Sequence, residues 1–237
     1  MKKILTLLFL ISLITGYSQD VKIEGIGKFK ISKTTINIID ELSKEMKVDI
    51  LKTNDDYEIY KKDQNSKKYI YQLIASQVDI IHNIPYSKFC PKTVVYKISG
   101  YEIATFYLNK IYLTFYNDTL VKFNCDYVDK LDDALVLKYG EPKRTNTEKE
   151  INCTFIHTGA KITYKEIDIH HIWKNDNIKA IVHFWKYYTS DCEEHFISNF
   201  SVENELKTRF ISDCEYNIKT QKEKESKEEL KKQTDSL

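Results

Sequence analysis

The chain has 237 residues, with 36 Lys and Arg against 35 Asp and Glu, a formal charge of +1 and 13% aromatic residues. That balance lacks the basic excess of a polyanion binder, and only Arg144 and Arg209 carry a guanidinium fork, so nucleic acid is not the expected partner. No run beyond the first twenty residues is apolar for long enough to span a bilayer.

The first element is MKKILTLLFLISLITGYSQD. Lys2 and Lys3 form a basic head, Ile4 to Ile14 an apolar core too short for a membrane span, and Gly16 and Ser18 place small residues before Gln19. This is the layout of a secretory signal peptide over residues 1–18. The expected location is therefore outside the cytoplasm, in a periplasm or the extracellular medium. No cysteine follows the apolar core, which argues against a lipid anchor. Removing residues 1–18 takes away two lysines and leaves a formal charge of −1. The expected organisation is an α+β domain over residues 19–217, with an internal boundary near 128, followed by a charged tail at 218–237.

FKISKTTINIIDELSKEMK reads as a strand running into a helix. Thr34 or Thr35 is placed to cap the helix, and Ile36, Ile39, Leu42 and Met46 recur at helical spacing. YEIYKK and KKYIYQLIAS alternate in patches that fix no register.

Residues 101–127 carry three alternating apolar sets: Ala104, Phe106 and Leu108; Ile111, Leu113 and Phe115; Val121, Phe123 and Cys125. All three sets reach one face only if the first turn is even and the second odd. Asn109-Lys110 and Asn117-Asp118-Thr119 meet those requirements in an antiparallel meander.

DKLDDALVLKYGEP then reads as a second helix, with Asp129 as cap and Asp132 and Asp133 in the positively polarised first turn. Val128, Leu131, Leu135 and Tyr139 form its stripe, and Gly140 and Pro142 stop it. The strand INCTFIH and a hairpin at 167–188 follow. The order helix, strands, helix, strands points to a loose duplication of an α+β unit. The fold class is thus α+β, with antiparallel meander sheets covered by two helices. After Ile218 only Leu230 and Leu237 are apolar, so KTQKEKESKEELKKQTDSL is expected as a frayed helix or disordered tail.

The hairpin IDIHHIWKNDNIKAIVHFWKYY holds three histidines. Ile167, Ile169 and Trp173 meet Ala180, Val182 and Phe184 on one face if the turn around Asn175-Asp176-Asn177 is even. His171 then joins the apolar face, while His170, His183 and Asp168 lie on the other. Those three residues are the candidate metal ligands, with zinc as the ion their donor types suit. A second candidate set is Cys153, His157, Cys192 and His195. Five cysteines leave at least one unpaired. Cys125 reads as a core residue, and Cys192 and Cys214, each in the tetrapeptide SDCE, are the expected disulfide.

No GxSxG elbow or GxxxxGK loop is present, and the GIG at 25–27 lacks the context of a dinucleotide loop. The adjacent carboxylates Asp132/Asp133 and Glu193/Glu194 read as solvated faces. The sequence therefore leans away from catalysis. It favours an exported binding or interaction module without a cofactor, whose 17 tyrosines present amphipathic surface to a protein or glycan partner. The alternative is a metal-dependent hydrolase centred on His170, His183 and Asp168, and a structural envelope component is a third reading. N-terminal sequencing of the exported protein is expected to begin within about three residues of Gln19; a chain beginning at Met1 would contradict the signal peptide.

Overall fold

The computed structural model describes residues 22–53, 68–74, 89–154, 159, 161–189 and 191–234. The signal segment, the YEIYKK patch and His157 lie outside these residues. The described residues form an α+β structure of three helices, a two-stranded hairpin and one nine-stranded sheet.

The hairpin pairs β1 (Gly25–Ile26) with β2 (Phe29–Lys30). Helix α1 (Ile38–Met46) follows, then β3 (Ile50–Thr53), β4 (Ile70–Leu73), β5 (Thr93–Ile103), β6 (Phe106–Tyr116) and β7 (Thr119–Asp126). Helix α2 (Leu131–Tyr139) leads into β8 (Lys143–Thr154), β9 (Lys161–Asn175), β10 (Ile178–Tyr188) and β11 (Glu194–Asn204), and α3 (Glu205–Thr234) ends the chain. Across the large sheet the order is β3-β4-β5-β6-β7-β11-β10-β9-β8. Its neighbours are antiparallel except the parallel pair β3–β4. A single sheet therefore runs across the expected boundary near residue 128.

The main core lies on one face of this sheet. Leu108, Ile111, Leu113, Phe115, Leu120, Phe123, Val182 and Phe200 are fully buried there. Ile38, Ile39, Leu42 and Met46 of α1 and Leu131 and Leu135 of α2 pack against them, so both helices cover the same face. Phe29 plugs the hairpin into this core, its ring centroid 5.3 Å from that of Phe123. Gly25 is required beside it. Its φ is 127°, and a Cβ there would stand 2.0 Å from the carbonyl oxygen of Phe29. The freed carbonyl of Gly25 accepts from the Tyr139 hydroxyl at 2.6 Å and from Lys138 Nζ at 3.0 Å, which ties the end of α2 to the hairpin.

The helix caps differ from expectation. Neither Asn37, which precedes α1, nor Lys130, which precedes α2, makes a side-chain cap. The Thr34 hydroxyl instead accepts from Lys30 N at 2.8 Å and donates to Lys28 O at 2.9 Å, so it serves the loop and not the helix.

The meander forms, but its turns shift. β5 and β6 reverse at Ala104-Thr105, with Ile103 opposite Phe106 and Ala104 at φ 54°. Asn109 and Lys110 lie inside β6, where Lys110 at φ 47° lets both Leu108 and Ile111 face the core. The next turn has two residues, Asn117 and Asp118, both at positive φ, because Tyr116 pairs with Thr119. The odd residue required by parity is supplied by a register shift at Thr114/Phe115. Chain reversal with left-handed Asn-Asp matches the twist of the strands, so the bulge absorbs the count within the strand.

The expected Cys192–Cys214 disulfide is not the one present. Cys214 pairs with Cys90, at a Cα–Cα distance of 5.6 Å, and Cys192 is a free buried thiol. The reason is the third helix. α3 starts at Glu205 and runs 30 residues, so the segment from 218, expected as a frayed helix or tail, is helical and continues a helix that begins well before it. Its first turns cross the opposite face of the sheet, where Ile211 is buried with Val121 of β7 and Cys90. Glu215 Oε1 accepts from Phe89 N at 2.7 Å and Cys90 N at 2.6 Å, which seats the partner strand of chain beside Cys214. A link across 124 residues of sequence stabilises by about 5 kcal/mol in the chain-entropy account.

Trp173 reports on this core. It is 3% exposed and donates from Nε1 to Gly140 O at 2.7 Å. Trp173→Ala is expected to lower unfolding free energy by about 3–5 kcal/mol, and Trp185→Ala, on the half-exposed opposite face, by less. Urea denaturation of both variants checks the ranking; the reverse order would contradict the placement of the core.

Candidate functional site

The β9–β10 hairpin turns through two residues, Asp176 and Asn177, with Asp176 at φ 50° and Asn175 opposite Ile178. That even turn fixes the register. Trp173 stands opposite Ala180, His171 opposite Val182 and Ile169 opposite Phe184, all toward the core. His170 stands opposite His183, and Asp168 opposite Trp185, on the outer face. The three histidines are therefore divided between the two sides of one sheet.

On the outer face the two imidazoles stack, with centroids 4.3 Å apart and planes at 3°. Both address one carboxylate oxygen. Asp168 Oδ1 is 2.9 Å from His183 Nε2 and 3.5 Å from His170 Nδ1. Among the described residues this is the cluster whose three ligand atoms lie within 4.8 Å of one another. Two imidazole nitrogens and a carboxylate are a zinc donor set, and zinc at about 2.0–2.1 Å from each would bring the ligand atoms to roughly 3.3 Å apart. An imidazole binds a metal in its own ring plane, so the two parallel rings would have to tilt toward each other, exchanging their present contacts with Asp168 Oδ1 for the ion. All three residues are half-buried, so water would complete the coordination.

The outer face also carries a row of rings that the sequence reading did not single out. His183, Trp185 and Tyr187 alternate along β10, and His195 of β11 stands opposite Tyr187. Trp185 and Tyr187 stack at 4.3 Å, and Tyr187 and His195 at 5.2 Å. His183 and Trp185 continue the row at 6.5 Å with planes at 17°. The period-two spacing of His183, Trp185 and Tyr187 was visible in HFWKYY. The partner His195 was not, because strand pairing alone brings β11 beside β10.

The second candidate set does not assemble around one ion among the described residues. His195 turns to Tyr187 and stands 3.9 Å from Glu193, while His157 lies outside the described residues. Cys153 and Cys192 do meet, both buried near the end of β8. His171, on the core face, holds Asp132 of α2 through Nδ1 at 2.9 Å and so fastens that helix to the sheet.

Partial burial is the first cause that holds the His170 imidazole below its usual pKa of 6.5; His183 and Lys179 act in the same direction and Asp168 opposes them. The native state thus resists a proton that the unfolded chain accepts. The resulting stability is present above about pH 6.5 and is lost as pH falls through the lowered native value. Urea titrations between about pH 7.5 and 5 are expected to show a steeper loss for the parent chain than for His170→Gln. Equal slopes would contradict this arrangement.

No protein-family model matches the chain, and no curated protein or solved structure is significantly similar to it. The functional reading rests on the residues themselves.

Proposed function

We infer that the protein is an exported binding module that engages its partner through the outer face of β9, β10 and β11. One observation carries this reading. His170, His183, Trp185, Tyr187 and His195 form a stacked, half-exposed row across three strands. A rigid sheet holds these rings, so little side-chain freedom is lost when a partner covers them. The rings combine apolar faces with a hydroxyl, an indole N–H and imidazole nitrogens, which suits a protein surface or a glycan. The Cys90–Cys214 disulfide is the kind of crosslink that persists in an oxidising compartment. No helix among the described residues is long and apolar enough to cross a membrane.

The second reading, a metal-dependent hydrolase, is favoured by the Asp168, His170 and His183 cluster. The open face weighs against it. A cavity of about 450 Å³ is lined by Ser43, Lys47, Val48, Asp49, Leu51, Lys68 and Tyr69, none of them in the cluster. A hydrolytic centre gains from a walled, water-excluding site around the reacting bond, and the cluster stands on a sheet face.

Native envelope extract and a glycan array, each probed with the mature chain and with a Trp185→Ala/Tyr187→Ala variant, test the first reading. A ligand retained by the parent and lost by the correctly folded variant is expected. Capture unchanged in the variant would remove the outer face from the function. Calorimetric titration with zinc tests the second reading: one equivalent bound, lost in His170→Ala, together with hydrolytic turnover, would promote the hydrolase over the binding module.

A further inference from the structure

The five cysteines sort into three environments. Cys90 and Cys214 are already joined. Cys125 is 1% exposed within the main core, and burial followed by the Asp126 charge raises its pKa strongly. Cys153 and Cys192 share a third, separate site.

Cys153 is the buried residue near the end of β8, the edge strand of the sheet. Cys192 lies in the turn from β10 to β11, at φ 67°. One carbonyl joins them. Thr189 O accepts from Cys192 N at 3.0 Å, closing the turn, and stands 3.8 Å from Cys153 Sγ. Thr189 N donates in turn to Glu193 O at 3.0 Å, so the turn is braced from both sides. Stacked Tyr164 and Tyr188 lie against the end of β10. Burial first, and then the neighbouring Cys153 thiol, push the Cys192 thiol up to about 11. The Cys192 thiol is therefore no ready thiolate near neutral pH, and a buried thiol of this kind exchanges slowly once the chain has folded.

We propose that Cys153 and Cys192 form a second disulfide, made while the chain folds, which staples the edge strand β8 to the β10–β11 turn. The oxidant is a disulfide of the thiol–disulfide oxidoreductase class, or glutathione disulfide. One cysteine, as thiolate, attacks the oxidant's S–S bond, giving a mixed disulfide and releasing one thiol. The other then displaces the second oxidant thiol. Two cysteine thiols lose two protons and two electrons, and the oxidant's disulfide becomes two thiols. The link has a structural purpose. β8 is exposed along eight consecutive residues, Lys143 to Glu150, and an unfastened edge strand invites pairing with other chains.

Every cysteine falls in a different tryptic peptide, so the connectivity can be read directly. The fully reduced mature chain is refolded in a glutathione redox buffer, denatured with iodoacetamide and no reductant, and mapped. The expected map has Cys125 alkylated alone and two linked pairs, Cys90–Cys214 and Cys153–Cys192. Cys153→Ser is expected to expose Cys192 to alkylation and leave Cys90–Cys214 intact. A map with Cys153 and Cys192 both alkylated overturns the proposal, and so does one joining either of them to another cysteine. The refolding format makes the outcome independent of export and of any partner on the outer face.

Discussion

Strand β7 is the constraint on which the rest of the molecule depends. On one edge it pairs with β6, and on the other with β11, through Asp126↔Asn199, Cys125↔Phe200, Asn124↔Ser201, Phe123↔Val202 and Lys122↔Glu203. The residues before α1 bond to its first positions, with Ser32 N donating to Leu120 O and Leu120 N donating to Thr34 O, each at 2.8 Å. Both of its faces are covered. Leu120 and Phe123 belong to the main core, and Val121 to the small cluster under α3. Joining β7 to β11 closes a long loop, a cost that grows only with the logarithm of its length. Burial of large side chains such as Phe123 and Phe200, at about 25 cal/mol per Å² of apolar surface, offsets it.

Several features follow from that junction. α3 leaves β11 with no intervening loop, so its direction is set by the strand. Asn204 Oδ1 accepts from Lys207 N at 3.0 Å and caps the helix, and Glu205 N donates to Asn177 O at 2.8 Å. The helix is thereby held at the β9–β10 turn, and its first turns lie over Val121 with Cys214 toward Cys90. Its last turns have little apolar surface to cover, and Lys224 to Lys232 stay exposed. Helical pairs of opposite charge, such as Lys222 and Glu225 at 3.4 Å, are what remain to support them.

The two neighbours His170 and His171 show how one sheet gives adjacent residues opposite surroundings. His171 lies under α2 and meets Asp132, a contact that fastens helix to sheet. His170, one residue earlier, faces out and stacks on His183 beside Asp168. The alternation of the strand makes the division unavoidable. It confines His170 and His183 to the outer surface, with Trp185 and Tyr187 continuing the row along β10.

How much of this was legible in the sequence depends on the range of the interaction. The stripes of α1 and α2, the stop at Gly140, the faces of the β9–β10 hairpin and the grouping of His170, His183 and Asp168 follow from residues close together in the chain, because period and parity are local properties of the backbone. The position of the β5–β6 turn did not follow, since Lys110 at positive φ changes face inside a strand and mimics a turn in the pattern. The bulge at Thr114/Phe115 hid the odd residue in the same way. The Cys90–Cys214 pairing and the placement of His195 beside Tyr187 were decided only by tertiary structure. Each brings together groups from different elements, and it is the pairing of β7 with β11, β11 with β10 and α3 across β7 that sets those distances. The sequence determined which residues each element would bury; the assembled sheet decided which elements would meet.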